Sequence, residues 1–329
     1  EGKTNIIEAL MYLALLSSHR ISSDQPLIKL DSERAYIRTK IESDERTTLV
    51  ELEINNGKAN RAKVNQNPVR SQKEILGLVK SVCFSPEDLD LVRGDPSERR
   101  SFLDQLLIQQ SPRLAGVISD YERALKQRNS LLKSRAPESS LRSWSEHLAT
   151  FGGELIAGRI KLINQIEPLF QIAYKNLSAK KLAKLGYKSS IPAPSSEKEV
   201  NKEVMLKVIE EVKSQEIERG ISLVGPHRDD LILNLGDHPV KGYASHGESW
   251  SIALALRLAS YQLFINEGAK PILILDDVFS ELDEGRREKL LEIADSAEQT
   301  FITVAVENDL PKAIQGARFK VELGKVVTL

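Results

Sequence analysis

Ile272-Leu273-Ile274-Leu275-Asp276-Asp277, running on through Val278-Phe279 to Ser280-Glu281-Leu282-Asp283, is the stretch on which the fold turns. Four aliphatic residues in a row suit a strand buried on both faces, as in the interior of a parallel sheet. In such sheets ligands bind beyond the C-terminal strand ends, so Asp276 and Asp277 emerge where chemistry is done. Solvated acids at a turn are the plain alternative. At the other end of the chain, Gly2-Lys3-Thr4 reads as the close of a phosphate-binding loop, G-x-x-x-x-G-K-[ST], and Asn5-Ile6-Ile7-Glu8-Ala9-Leu10 starts the helix that should follow it. The loop's first glycine and its strand do not precede it, so the chain is expected to be truncated inside its own nucleotide site. If both signals are genuine, Gly2, Lys3 and Thr4 face ATP phosphates, Thr4 and Asp276 serve Mg²⁺, and Asp277 orients or deprotonates the attacking water. An ordinary helix start is the rival reading of G-K-T.

Three regions separate by pattern: 1–94, 95–215 and 216–329. In the first, apolar residues at helical spacing predict a helix over Thr4–Leu16. Ala35–Ile41, Thr48–Ile54 and Arg61–Asn65 read as strands, with Asn56-Gly57 as a hairpin signal. A short helix over Gln72–Leu78 leads to a buried strand, Val79–Phe84. The middle region reads as charged helices, including Ser119–Leu132 and Gly152–Leu177, with a proline-bearing loop over Ser189–Ser196. In the last region Ile221–Val224, Leu231–Leu235, Pro271–Leu275, Thr300–Val306 and Phe319–Leu323 read as strands. They alternate with helices over Gly247–Phe264 and Glu284–Ala294, a pattern that argues a largely parallel sheet flanked by helices.

Composition narrows the class. Hydrophobic residues at 41% and charged residues at 28% are those of a globular chain, and no apolar run approaches membrane-spanning length. The single cysteine, Cys83, rules out an internal disulfide and a multi-cysteine zinc site; the chain reads as cytoplasmic, with Cys83 a buried structural thiol. A net charge of −1 gives no global sign of nucleic-acid binding. Locally, however, Lys175, Lys180, Lys181, Lys184 and Lys188 follow one another with no acidic residue between them. That run is either a solvated face or a contact for a phosphate backbone, with Lys175, Lys180, Lys181 and Lys184 as the candidate DNA-binding residues.

Ala244-Ser245-His246-Gly247-Glu248 opens a helix, placing a hydroxyl and bare backbone N–H groups at its positive end. Simple capping explains this alone, as it does Ser280 and Asp283 downstream. The order of S-x-G, helix, D-D strand and S-x-L-D resembles the head of an ABC-type ATPase. The expectation is therefore an α/β fold: a P-loop ABC-type ATPase head interrupted by an inserted, mainly helical domain.

Three longer blocks sharpen the resemblance. They are Phe84–Leu89 with Leu91–Pro96 and Arg99–Asp104, Gly225-Pro226-His227-Arg228-Asp229-Asp230, and Leu275–Asp283. Together they resemble the RecF family, bacterial recombination mediators with an SMC-like head; the Ala244–Trp250 form resembles actinobacterial members. The resemblance implies an ATP-dependent homodimer that binds duplex DNA and single-strand/duplex junctions, and works with RecR and RecO to load RecA. It implies that Ser245 and Gly247 reach the partner subunit's ATP and that Asp283 lies at the dimer seam. Ser18-His19-Arg20 fits a family element near the nucleotide, or a basic helix end. Asp277 stands where ABC heads usually carry Glu, which suggests weak ATP hydrolysis suited to a switch, and the RecF resemblance implies that DNA stimulates it. The switch histidine of ABC heads has no counterpart in Thr303–Glu307, leaving Thr303 and Glu307 as alternatives. His227 and Arg228 could contact nucleotide or DNA, or form a structural pair. The rival functions are a transporter ATPase subunit, which leaves the three blocks unexplained, an ABC-headed nuclease, which calls for a second carboxylate cluster that the sequence does not show, and a DNA clamp that binds ATP without cleaving it.

Overall fold

The computed structural model describes every residue except 1, 19–22, 44–45, 179–180, 307–309, 311–313 and 323. By packing, the chain divides into two units: Glu1–Pro86 with Ser260–Leu329, and Glu87–Ala259.

The first unit is built around the helix Lys3–Leu15. Ile7, Met11, Ala14 and Leu15 pack against Val79, Cys83 and Ile274. Tyr12 and Leu13 pack the other way, against Val50, Leu52, Ile54, Ala62 and Ile75. A helix covered on two sides needs apolar residues around most of its circumference, which is what its sequence has. The first layer is a parallel sheet with Ile272–Asp276 in the middle, Thr300–Thr303 on one side and Ser81–Phe84 on the other. Leu273, Leu275 and Ile274 of the middle strand are wholly buried. The second layer is antiparallel and joins Arg34–Ser43, Arg46–Asn55, Arg61–Val64 and Asn67–Pro68.

Two contacts orient the helix. The Ser81 hydroxyl lies 3.5 Å from the Met11 sulfur at the start of its strand. The Lys3 ammonium reaches the Val304 carbonyl, just beyond the end of another. The helix therefore runs against the parallel strands and presents its N-terminus at their C-terminal ends.

The second unit contains the helices Pro96–Gln110, Leu114–Lys133, Glu138–Leu177 and Lys198–Glu211. The long helix passes close to its neighbour at Gly152 and Gly153. A Cβ on Gly153 would lie 2.7 Å from the Lys198 carbonyl oxygen. Asn201, fully buried, donates to the Gly153 carbonyl at 3.2 Å and accepts from the Ser195 N–H at 2.8 Å. Arg128 and Glu216 form a buried ion pair at 2.6 Å, in which Arg128 also donates to Ser145 and Ser222.

Several expectations are corrected. Ala183–Lys188, read only as a lysine run, is a strand paired antiparallel with Asp230–Leu235. The latter strand therefore lies in the inserted unit rather than in the parallel sheet. Packing divides the chain at 86 and 259, and the regions bounded at 94 and 215 remain divisions of sequence pattern. Ile221–Val224 is not a strand. Asn129 accepts from the Ser222 N–H at 2.7 Å, and Glu216 accepts from the Leu223 N–H at 2.7 Å. Side chains thus satisfy amides that a ladder would have used. Gln72–Leu78 shortens to a single 3₁₀ turn, Gln72–Ile75, ended before Gly77 with its φ of 87°. The strand after Thr300 stops at Thr303, and Phe319–Glu322 pairs with an unanticipated strand, Lys325–Thr328. Leu323 lies outside the described residues.

Candidate nucleotide site

Gly2 caps the first helix in a left-handed conformation, φ 108°, which a residue with a side chain adopts only at a cost. No described side chain caps this helix, and N–H groups at a helix start suit an anion. Thr4 sits half-buried in its first turn.

The strand Ile272–Asp276 delivers its carboxylates to the same edge of the sheet. Asp276 is buried and pairs in register with Thr303 of the adjacent strand. The Thr303 hydroxyl donates to Asp276 Oδ1 and accepts from the Asp277 N–H at 3.2 Å. The Asp277 N–H is shared with the Thr303 carbonyl, also at 3.2 Å. Asp277 is left-handed, φ 51°, and turns the chain sharply into the 3₁₀ turn Val278–Ser280. Its Oδ1 is buried and has no hydrogen-bond partner among the described residues. With Lys3 on Val304 and Asp276 on Thr303, the lysine and the strand-end carboxylates meet at the end of one strand.

Asp283 is the N-cap of the helix Glu284–Ser296 and accepts from the Arg286 N–H at 3.0 Å. Ser280 donates to the Asp277 carbonyl at 3.0 Å. Asp283 fulfils the capping role the sequence allows and remains exposed, whereas Ser280 ends the 3₁₀ turn and is not its cap.

Ser245 and Gly247 lie in the second unit, at the start of the helix His246–Asn266. Ser245 and Glu248 form a capping box. The Ser245 N–H donates to Glu248 Oε2 at 2.9 Å, and the Glu248 N–H donates to Ser245 Oγ at 3.2 Å. Lys181 donates to the other Glu248 oxygen at 2.9 Å. The Lys181 ammonium, with the Ser245 amide, holds the Glu248 carboxyl down to about 2. Sequence reasoning missed Glu248, although the spacing Ser245-x-x-Glu248 is itself the capping-box signal.

Of the other candidate DNA contacts, Lys175 is exposed in the last turn of the long helix. Lys184 is exposed on its strand between the buried Ala183 and Leu185. Lys180 lies outside the described residues, as do His19, Arg20 and Glu307. Ser18 donates to Glu8.

His227 and Arg228 form part of a structural hub. His227 Nε2 lies 3.1 Å from the Ser222 carbonyl and Nδ1 lies 2.6 Å from the Tyr121 hydroxyl. The carbonyl can only accept, so Nε2 carries the proton and Tyr121 donates to Nδ1. Burial, with Arg228, Arg100 and Arg128 nearby, pushes His227 down to about 4. Arg228 donates to the same Ser222 carbonyl at 2.9 Å. Asp229, fully buried, accepts from the Tyr187 hydroxyl and the Ser190 N–H, each at 2.7 Å. Arg99 makes a two-pronged contact with Asp230 at 2.8 and 3.0 Å.

Among the described residues no three His, Cys, Asp or Glu side chains gather to hold a metal ion by themselves. A buried strand-end carboxylate at the sheet edge that Lys3 also reaches fits Mg²⁺, which is usually held by one or two carboxylates together with phosphates. No helix among the described residues is long and apolar enough to cross a membrane.

Comparison with known proteins identifies the family and the fold. Residues 1–322 match the family described as RecF/RecN/SMC N terminal domain. The chain is 51% identical to a protein of Streptomyces avermitilis named DNA replication and repair protein RecF, over 99% of this chain and 90% of that one. A protein of the same name from Beutenbergia cavernae is 48% identical, over 99% of this chain and 91% of its own. A solved structure of the recombination mediator protein RecF, described with ATPrS in the RecFOR pathway, superposes with a TM-score of 0.92 at 29% identity. It is matched by 100% of this chain and 89% of its own. The Smc head domain from Pyrococcus furiosus shares the fold at a TM-score of 0.52 and 15% identity, over 100% of this chain and 87% of that one. The fold is thus that of a RecF- and SMC-like ATPase head carrying an inserted, mainly helical domain, and the chain belongs to the RecF/RecN/SMC family and, within it, to the RecF proteins.

Proposed function

We propose that this chain is an ATP-dependent DNA-binding protein of replication and recombinational repair. The observation that carries the reading is the meeting of Lys3, Asp276 and Asp277 at the C-terminal edge of one parallel sheet. The names of the relatives and the ATP-bound RecF structures support the same reading.

In it, Gly2 and the N–H groups behind it cradle phosphates, and Lys3 leaves the Val304 carbonyl to lie against them. Thr4 and Asp276 would hold Mg²⁺, which when bound offsets charge on the phosphates. Asp277, with one oxygen lacking a partner, accepts a hydrogen bond from the attacking water. Ser245 and Gly247 cap the nucleotide of a second copy, whose dimer seam includes Asp283. Lys175, Lys180, Lys181 and Lys184 contact the DNA backbone. Slow hydrolysis then reopens the dimer, and RecR, RecO and RecA act with it in the cytoplasm.

Sedimentation with ATP, with ADP and without nucleotide, each with and without gapped duplex DNA, tests the reading. Dimers in ATP alone, strengthened by DNA, are the expected result. The same oligomer in all conditions would overturn it.

A further inference from the structure

An Asp carboxylate at the end of a strand can rotate about its terminal torsion unless something fixes it. At Asp276 that something is Thr303. Its hydroxyl donates to Asp276 Oδ1 and in turn accepts from the Asp277 N–H. The two residues are register partners across the parallel sheet, so the distance between their backbones is set by the ladder. Asp276 Oδ2 accepts no hydrogen bond from any described residue and is left for a ligand. The next residue, Val304, holds the Lys3 ammonium on its carbonyl.

We propose that Thr303 is a positioning residue of the nucleotide site, fixing the Asp276 carboxylate so that its other oxygen is presented to the divalent cation. The role is carried by the hydroxyl and not by the side chain's bulk. One proton donated to Oδ1 directs Oδ2 outward, and one bond accepted from the Asp277 N–H ties the tight turn to the same point. Thr303 thereby links both carboxylates, at a place where the family resemblance calls for a switch histidine that this chain lacks. This inference rests on the proposed nucleotide site.

Thr303→Val tests it. Valine keeps the shape and the β-branching that suit a strand, but has no hydroxyl. Binding of a fluorescent ATP analogue to the full chain would be titrated with Mg²⁺, and repeated in excess chelator. Removing a hydrogen bond to a charged group should raise the half-saturating Mg²⁺ concentration of Thr303→Val about tenfold. Thr303→Ser, which restores the hydroxyl, should stay within about twofold of the parent, and chelator-phase affinity should match in all three. An unchanged Mg²⁺ requirement in Thr303→Val overturns the inference. So does an equal loss of affinity in chelator, which would mark a general structural role. A parent chain whose analogue binding ignores Mg²⁺ overturns the nucleotide-site reading itself.

Discussion

A carboxylate oxygen buried without a partner is costly to keep, and Asp277 Oδ1 is such an atom. The cost makes sense if a reacting water supplies the missing bond. An asparagine side chain at this position would retain the shape and tolerates the left-handed backbone that Asp277 adopts. Asp277→Asn is therefore expected to fold normally and to bind ATP, while hydrolysis falls by at least about 100-fold and the ATP dimer persists. Single-turnover hydrolysis on sedimented dimers measures both, and parent-like turnover would remove Asp277 from the water site. His227 gives a second test at this scale. Its folded value of about 4 lies below the ordinary 6.5, so the unfolded chain takes up a proton first as pH falls. Its contribution is complete above pH 6.5 and is lost on the way down to about 4. Between pH 7.5 and pH 5 that loss amounts to about 2 kcal/mol, readable by urea unfolding. Replacing His227 by Gln should flatten this part of the profile; an unchanged slope would assign it to other groups.

Among elements, the crossing of Glu138–Leu177 with Lys198–Glu211 inverts a common rule. Alanine for glycine inside a helix ordinarily stabilises by about 1 kcal/mol. At Gly153 the added Cβ would meet a backbone carbonyl oxygen at 2.7 Å, which cannot swing aside as a side chain can. Gly153→Ala is expected to destabilise by about 1–3 kcal/mol, lowering the urea midpoint, and a raised midpoint would show that the helices can part. This contact was not legible in the sequence, because nothing local says which helix faces Gly153. What was legible followed from periodicity. Ile272–Asp276 announced itself by an unbroken apolar run, and Lys3–Leu15 by its helical spacing. Ala183–Lys188 escaped because its lysines drew the eye from a clean alternation of Ala183, Leu185 and Tyr187 with Lys184, Gly186 and Lys188. Ile221–Val224 misled in the opposite sense, its amides being taken by Asn129, far back along the chain, and by Glu216 of the helix just before it. The candidate site residues were named where motifs end strands or start helices. Thr303 needed the register of two strands to be singled out from its neighbours.

For the whole molecule, the division of the site residues between packing units matters. Lys3, Thr4, Asp276 and Asp277 belong to one unit, and Ser245 and Gly247 to the other. The proposed dimer joins the phosphate loop of one copy to the Ser245 helix start of the next, so a composite site needs two chains. Subunit mixing can test that arrangement without locating the interface. Lys3→Ala should disable the phosphate loop of its own chain, and Ser245→Arg should obstruct the helix start offered to its partner. Each variant alone gives dimers with no intact site. In a mixed dimer, the loop of the Ser245→Arg chain faces the unaltered Ser245 of the Lys3→Ala chain, so one of two sites is restored. With random pairing half the dimers are mixed, and DNA-stimulated ATP hydrolysis should recover to roughly a quarter of the parent value under two-fold symmetry. Recovery should also vary with total protein concentration, as association requires. No recovery, from variants that each still fold and exchange partners, would mean that Ser245 serves its own chain's nucleotide or none.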